Sequence, residues 1–251
     1  MSGHSKWANI KGTKGVADAR RAAIFTKLSR EIMVAARQGG SDPDANFRLR
    51  LAVQRARDHN MPGDNIQRAI KKGMGELEGE ALHEVTYEGY GPGGVAILVE
   101  AVTDNRNRTA SEVRNVFTRA GAAMAEAGSV AWQFELRGLI TIPAKSAGDE
   151  VALLAIDAGA DDVRTEGAVL EVYTDPHKLE AVRRSLEASK VAIASTELSM
   201  IPKITVPLDE KRGLATLKLL DKLEELDEVQ RVHSNADFPD SVLQAYQAAS
   251  A

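Results

Sequence analysis

Lysine and arginine are concentrated in the first 75 residues, and these side chains are suited to neutralising a polyanion. Between Met1 and Gly75 there are 15 basic and 6 acidic residues, a formal charge of +9. The other 176 residues carry 17 basic and 30 acidic side chains and a charge of −13, which gives the net −4 of the chain. This division predicts a basic surface for phosphates beside an acidic remainder. Aromatic residues make up only 4%, which favours contacts to phosphate over base stacking.

The sequence contains no pattern typical of a catalytic, metal or cofactor site. Cysteine is absent, which excludes thiol catalysis, disulfides and cysteine-ligated metals. The five histidines have no metal-ligand spacing, and no serine lies in a nucleophile-elbow context. Asp161 and Asp162 lack a third ligand at a suitable spacing. We predict a non-enzyme with no metal and no cofactor; an enzyme with an acidic metal site is the alternative.

Hydropathy predicts where the protein works. No run of 18 apolar residues is present, so no membrane-spanning helix is expected. The N-terminus lacks an apolar targeting segment, and the absence of cysteine fits a reducing compartment. These observations favour a soluble, cytoplasmic protein.

A flexible arm and a first helix are predicted to carry many of the basic residues. Ser2 to Gly15 is rich in Gly and Ser and includes Lys6, Lys11 and Lys14, which predicts a cationic arm, with an ordinary disordered terminus as the alternative. From Val16 to Gln38 apolar residues recur at steps of three and four, which predicts a helix. Its polar arc holds Arg20, Lys27, Arg30 and Arg37, with Arg21 nearer the apolar stripe. A merely solvated face is the alternative for this arc.

Two further helices are predicted to complete a small basic bundle. The second runs from Ala45 to about Asp58, with Asp42 or Asp44 expected as its N-cap. The third runs from Gly63 to Lys72 and ends in Lys71 and Lys72. Cations there also suit the helix dipole, which is the structural alternative to a role in binding.

The acidic remainder predicts mixed α and β structure. Strands are expected from His83 to Glu88 and from Val95 to Thr103, and the Gly-rich Gly89 to Gly94 between them is typical of a hairpin turn. A helix follows from about Ala110 to Ala120. Arg106 and Arg108 precede it, either as a second, smaller anion site or as partners of neighbouring acidic residues.

The order of elements predicts how the domains are arranged. From Val130 to Ile201 the order is β-α-β-β-α-β, which is typical of a ferredoxin-like fold. A leucine-rich helix and a last strand follow, and the first hairpin needs them to complete its own layer. We therefore predict an α+β protein with a basic helical domain (residues 1–75), a discontinuous α+β domain (76–130 plus 204–251) and an inserted acidic ferredoxin-like domain (131–203).

Several long motifs resemble one known family. The segments GHSKWANIK, DARRAAIFTKLSREIMVAAR, GGSDPDANFRLRLAV and NMPGDNIQRAIKKGMGE resemble the N-terminal domain of the YebC family. YEGYGPGG and TDNRNRTASEVR resemble later parts of the same family. The resemblance implies three domains and a DNA-binding transcriptional regulator of the bacterial cytoplasm. It equally implies a translational activator, because mitochondrial relatives are described so and some bacterial members assist ribosomes.

Charge pattern and resemblance together predict a nucleic-acid-binding regulator of gene expression, of the DNA-binding transcriptional type. The alternative is a ribosome-associated translation factor that contacts ribosomal or transfer RNA. A protein partner for the acidic domains is also expected, and no membrane. The predicted nucleic-acid-binding residues are Lys6, Lys11, Lys14, Arg20, Arg21, Lys27, Arg30, Arg37, Lys71 and Lys72.

Overall fold

Three helices form the first domain of the computed structural model, which describes residues 18–78, 81–166 and 169–250. They are α1 (Asp18–Gly39), α2 (Phe47–Asp58) and α3 (Gly63–Gly73). Their apolar stripes meet in one core that includes Ile32, Leu49 and Ile66. The basic bundle predicted from helical periodicity is therefore present.

Asn46, and neither Asp42 nor Asp44, caps α2, which corrects the sequence prediction. Its side-chain oxygen accepts the backbone N–H of Leu49 at 3.0 Å, while its amide donates to the carbonyl of Ala35 at 2.8 Å. One buried side chain thus satisfies the start of α2 and ties it to α1. A cap that also bonds a second helix is stabilised by both hydrogen bonds. Capping rules consider only the residues near the helix start and cannot predict the second bond.

A hairpin and a helix begin the second domain. Strand β1 (His83–Tyr90) pairs antiparallel with β2 (Ala96–Thr103), followed by α4 (Arg106–Arg119) and the short strand β3 (Ala123–Ala125). The turn between the strands has positive φ at Gly93 (83°) and Gly94 (78°), conformations that favour glycine. The predicted hairpin is confirmed.

The next six elements form a sheet covered by helices on one face. They are β4 (Phe134–Pro143), α5 (Asp149–Asp157), β5 (Asp162–Glu166), β6 (Val169–Thr174), α6 (Leu179–Ala188) and β7 (Ser195–Pro202). The sheet order is β5-β6-β4-β7 with all neighbours antiparallel. Ile140 and Val172 of the sheet pack with Leu179 of α6. This β-α-β-β-α-β arrangement is ferredoxin-like, and the predicted α+β fold class is confirmed.

The last elements return to the sheet of the second domain. They are β8 (Val206–Pro207), α7 (Glu210–Glu224), β9 (Val229–Ser234), β10 (Ala236–Asp237) and α8 (Asp240–Ser250). Strand β9 pairs antiparallel with β2, giving the order β3-β1-β2-β9. Phe117 of α4 and Leu217 of α7 share one core with Val99 of the sheet. This long-range pairing supports the proposed discontinuous domain, whose boundaries remain a prediction.

Glu88 connects β1 to the segment that leads into β4. Its buried carboxylate accepts backbone N–H groups from Gly128 and Val130, both at 2.6 Å, and from Ala131 at 2.9 Å. Burial raises the pKa of Glu88, but these backbone donors outweigh it and lower the pKa below its ordinary value. The charged form is therefore held in place where the ferredoxin-like domain joins the second. Across the described ranges, none of the helices is both long and apolar enough to cross a membrane.

Candidate nucleic-acid interface

The polar arc of α1 contacts the C-terminal end of α7 and the loop that follows it. Lys27 donates to the carbonyl of Glu224 at 2.5 Å, and Arg30 donates to the carbonyl of Asp227 at 2.7 Å. Carbonyls at a helix end lack intrahelical partners, so cations are favoured there. The side chain of Arg30 is only 15% exposed. These two cations are positioned by the protein's own acidic domain.

A second set of contacts joins the bundle to the segment leading into β1 and to β1 itself. Arg37 donates to the carbonyl of Leu82 at 3.2 Å. Glu84 of β1 pairs with Arg48 and accepts a hydrogen bond from Gln38 at 2.7 Å. The hydrogen bond from Arg48 is the main reason that the pKa of Glu84 lies below its ordinary value, although burial opposes it.

An ionic cluster lies where all three domains meet. Glu31 of α1 contacts Arg55 of α2 at 3.0 Å and Arg231 of β9 at 2.7 Å. Arg231 also lies 3.9 Å from Glu197 of β7 and 3.9 Å from Glu100 of β2. Burial raises the pKa of Glu31, but Arg231 and Arg55 outweigh burial and lower it. Around Arg231 the carboxylates of Glu31, Glu197 and Glu100 raise its pKa against burial. This cluster is called the three-domain cluster below.

The bundle also packs on the ferredoxin-like domain. Phe47 and Leu51 of α2 are partly buried against its core. The guanidinium of Arg50 lies 5.6 Å from the ring centre of Phe47 and 3.7 Å from a carboxylate oxygen of Glu180 on α6. Apolar and ionic contacts therefore hold the bundle against both acidic domains.

This docking changes how the polar arc of α1 is interpreted. The helical wheel predicts Lys27, Arg30 and Arg37 on a face turned away from the packing. The structure instead places Lys27 and Arg30 partly buried against another domain, while Arg37 is exposed and bonded to Leu82. A wheel locates only the apolar stripe of its own helix, so it cannot show an acidic domain docked on the polar arc.

The remaining predicted residues have different positions. Arg21 is exposed on α1. Arg20 lies in the same helix, but its side chain lies outside the described part of the structure, as do Lys6, Lys11 and Lys14. Lys71 is exposed and Lys72 is partly exposed, both in the last turn of α3.

Lys71 and Lys72 share the bundle with two exposed arginines that the sequence analysis did not select. Arg57 lies in the last turn of α2 and Arg68 lies on α3, opposite the buried Ile66. Within the described ranges, none of these four cations has an ion pair. Arg57, Arg68, Lys71 and Lys72 are called the exposed cations below. The outward position of Arg68 on the wheel was the signal that could have identified it.

The predicted second anion site is only partly available. Helix α4 begins at Arg106, with Asn105 as its N-cap, and not at Ala110 as the periodicity predicted. The guanidinium of Arg108 contacts Asp104 at 2.6 Å and Glu228 at 2.9 Å, so it pairs with neighbouring acidic residues. Arg106 is exposed and has no ion pair within the described ranges, and its carbonyl accepts the hydroxyl of Tyr87 at 3.3 Å.

The two carboxylates considered for a metal site are paired with arginines. Asp161 contacts Arg137 and Asp162 contacts Arg164, each at 2.7 Å. In the part of the chain that the structure describes, no three His, Asp or Glu side chains are arranged to hold a metal ion.

Comparisons with known proteins cover nearly the whole chain. Residues 5–76 match a family model described as "TACO1/YebC protein N-terminal domain", and residues 82–236 match one described as "TACO1/YebC second and third domain". A probable transcriptional regulatory protein of Dehalococcoides mccartyi is 57% identical, over 98% of each chain. One of the same description from Chloroflexus aurantiacus is 56% identical, over 95% of this chain and 96% of the relative. The crystal structure of a conserved hypothetical protein from Aquifex aeolicus is similar with a TM-score of 0.85 and 49% identity, covering 93% of this chain and 97% of the other.

Proposed function

This chain belongs to the TACO1/YebC family, and from that we propose a non-enzymatic, nucleic-acid-binding regulator of gene expression that works in the cytoplasm. The names of its relatives support a regulator of transcription. In this proposal the acidic domains hold the basic bundle, and the outward side of the bundle neutralises the phosphates of DNA. The contacts that the acidic domains make with protein are then, first of all, those with the basic bundle of the same chain.

The exposed cations carry this proposal. They lie on a domain of charge +9 and, among the described residues, form no ion pair, so no protein carboxylate neutralises their charges. A phosphate that replaces solvent there releases condensed counterions, which drives binding. We assign Arg21 and the basic residues of the N-terminal segment, Lys6, Lys11, Lys14 and Arg20, to the same proposed function.

Salt dependence tests this mechanism directly. If about six cations engage duplex DNA, a plot of log affinity against log salt has a slope near −5. Fluorescence anisotropy with a labelled DNA duplex measures this slope between low and physiological salt. A slope near zero would overturn the proposal.

A charge-neutralised variant tests the location. The triple variant Arg68→Gln, Lys71→Gln, Lys72→Gln is expected to bind about 100-fold more weakly and to reduce the slope by about three. The control variant Lys145→Gln, Lys178→Gln, Lys218→Gln removes equal charge from exposed positions on the acidic domains. Equal losses in both variants would show that only total charge matters, contradicting a defined surface.

A ribosome-associated translation factor, or translational activator, is the second candidate. Aromatic side chains are only 4% of the chain, and contact with folded RNA through shape and phosphates needs no base stacking. Gradient sedimentation of cell extract distinguishes the two candidates. Absence of the protein from every ribosomal fraction would reject the translational role.

A further inference from the structure

Helix α4 is a basic element within the acidic remainder of the chain. Its 14 residues contain Arg106, Arg108, Arg114 and Arg119 against the single acidic residue Glu112. Residues after Gly75 together carry −13, so this helix departs from its surroundings. Arg106, Arg114 and Arg119 are exposed and have no ion pair among the described residues.

The outward strip of α4 consists of small, uncharged hydrogen-bonding side chains. Asn107, Ser111, Asn115 and Thr118 are all exposed. The hydroxyls of Ser111 and Thr118 donate to backbone carbonyls four residues earlier, at 3.0 and 2.9 Å, which leaves their oxygens as acceptors. Asn107 and Asn115 form no side-chain hydrogen bond within the described part of the chain, so their amides are available to a partner.

Arginines flank this strip on both sides. With about 100° per residue, Arg114 lies about 60° to one side of Ser111 and Arg119 about 80° to the other. Asn107 and Asn115 are separated by about 12 Å along the axis. The face therefore has a neutral centre that can bond to a groove and charged edges that can reach the phosphates bordering it.

We propose that this face of α4 is a second nucleic-acid contact surface and that its partner is double-helical RNA. The proposal rests on the proposed nucleic-acid binding and assigns a target to one part of it. Charge complementarity selects a polyanion, and the neutral centre selects a groove lined by hydroxyl groups. The minor groove of A-form RNA is wide, shallow and lined by 2′-hydroxyls, which accept and donate hydrogen bonds.

The packing of α4 favours RNA over DNA. Val113 and Phe117 of α4 share a core with Leu217 and Leu220 of α7, so the two helices lie in one layer on the sheet. A helix that reads the major groove of DNA has to project into a groove about 8.5 Å deep. A helix packed beside a neighbouring helix presents only its outward strip to a partner, which suits a shallow groove.

One carboxylate places the start of α4 beside the bundle. A single oxygen of Glu228 lies 2.9 Å from Arg108 of α4 and 3.9 Å from Arg30 of α1. The first turn of α4 and the middle of α1 are therefore neighbours.

The arginines are tested with paired variants on two duplexes of the same sequence, one RNA and one DNA. Arg114→Gln with Arg119→Gln is expected to weaken RNA binding about tenfold and to lower the salt slope by about two. Gln preserves helix propensity, so α4 stays folded, which circular dichroism checks. The control pair is Lys145→Gln with Lys178→Gln. Both lysines are exposed on the ferredoxin-like domain, and the RNA affinity of this variant is expected to be close to that of the unmodified chain.

The asparagines are tested separately, because they act without charge. Asn107→Ala with Asn115→Ala is expected to weaken RNA binding about tenfold, with an unchanged salt slope and unchanged DNA binding. Equal losses on RNA and DNA would reject RNA as the partner of this face. RNA affinity equal to that of the unmodified chain in both α4 variants would overturn the proposal.

These results are distinguishable from failure of the proposed function. If the variants of α4 bind normally while the Arg68, Lys71 and Lys72 variant loses affinity, α4 is not a contact surface but the bundle remains one. If the unmodified chain shows no salt-dependent binding to either duplex, the proposed function itself is rejected.

Discussion

Lys27 and Arg30 on α1 and Lys71 and Lys72 on α3 belong to the same bundle and carry the same charge. The first pair bonds to the carbonyls of Glu224, the last residue of α7, and of Asp227 in the loop after it, and is partly buried. In the second pair, at the end of α3, Lys71 is exposed, Lys72 is partly exposed, and neither has an ion pair among the described residues. What lies opposite each helix accounts for the difference, because all four side chains are cations on helices of one bundle and only the first pair lies against another domain. Part of the charge division along this chain therefore serves docking between domains.

Loss of Arg231 is expected to have the largest effect on this docking. Arg231→Met leaves Glu31 and Glu197 without their shared cation, and breaking a buried pair costs about 3 kcal/mol or more. Urea unfolding measures the loss in the free energy of unfolding. Arg184→Met is the matched control, because Arg184 is 65% exposed and its pair contributes below about 1 kcal/mol. Equal effects would show that the three-domain cluster does not hold the domains.

Acidification is expected to have the second largest effect, because it weakens the ion pairs of Glu31 and Glu84 that hold the bundle against the other domains. The pKa values of Glu31 and Glu84 are both lowered from 4.5. A lowered carboxyl pKa stabilises the fold fully above the ordinary value, and this stability is lost as pH falls through the folded-state value. Unfolding free energy is therefore expected to fall below about pH 4.5. A double variant, Glu31→Gln with Glu84→Gln, is expected to flatten this dependence; an unchanged pH profile would contradict the assignment.

The more exposed ion pair between Arg48 and Glu84 is expected to contribute less to the free energy of unfolding. Arg48→Gln removes the pair with Glu84, in which the side chains are 44% and 39% exposed. Such pairs contribute about 0.5 kcal/mol and are weakened by salt. Urea unfolding at low and high salt measures this difference. A loss as large as that of Arg231→Met would mean that docking does not depend on the three-domain cluster.

The smallest effect is expected when Lys27 and Arg30, which contact another domain, are neutralised and DNA affinity is measured. Lys27→Gln with Arg30→Gln is expected to change DNA affinity by about threefold or less, since these charges contact protein and salt screens beyond about 8 Å. Anisotropy compares this pair with Lys71→Gln and Lys72→Gln. If both pairs lose affinity equally, the docked cations also contact nucleic acid, and the bundle has to leave the acidic domains on binding.

Most of the fold could be predicted from the sequence, because its helices and strands have strong local hydropathy patterns. The helical stripes of α1 to α3, the hairpin around Gly93 and Gly94 and the β-α-β-β-α-β order all appear in the structure. The misplaced starts of α2 and α4 have a common cause. Asn46 and Asn105 cap these helices, and several nearby polar residues were equally good candidates from sequence alone.

The candidate interface was less predictable, because exposure depends on contacts between distant segments. Arg57 and Arg68 were passed over although they are exposed, whereas Lys27 and Arg30 were selected although another domain covers them. Glu31 and Arg231 are 200 residues apart, and nothing in either local pattern indicates their contact.

The sequence by itself determined the family, the α+β class and the separation of charge between the first 75 residues and the rest, because these depend on composition and local periodicity. Only the tertiary structure decided which cations are available. Electrostatic attraction within one folded chain holds the basic bundle against the acidic domains. A cation of the bundle can therefore be bonded to a carbonyl or carboxylate far along the sequence and is then not available to a phosphate. The cations of the bundle that we propose for phosphate contact are those for which the described packing supplies no carboxylate, such as Arg68 and Lys71.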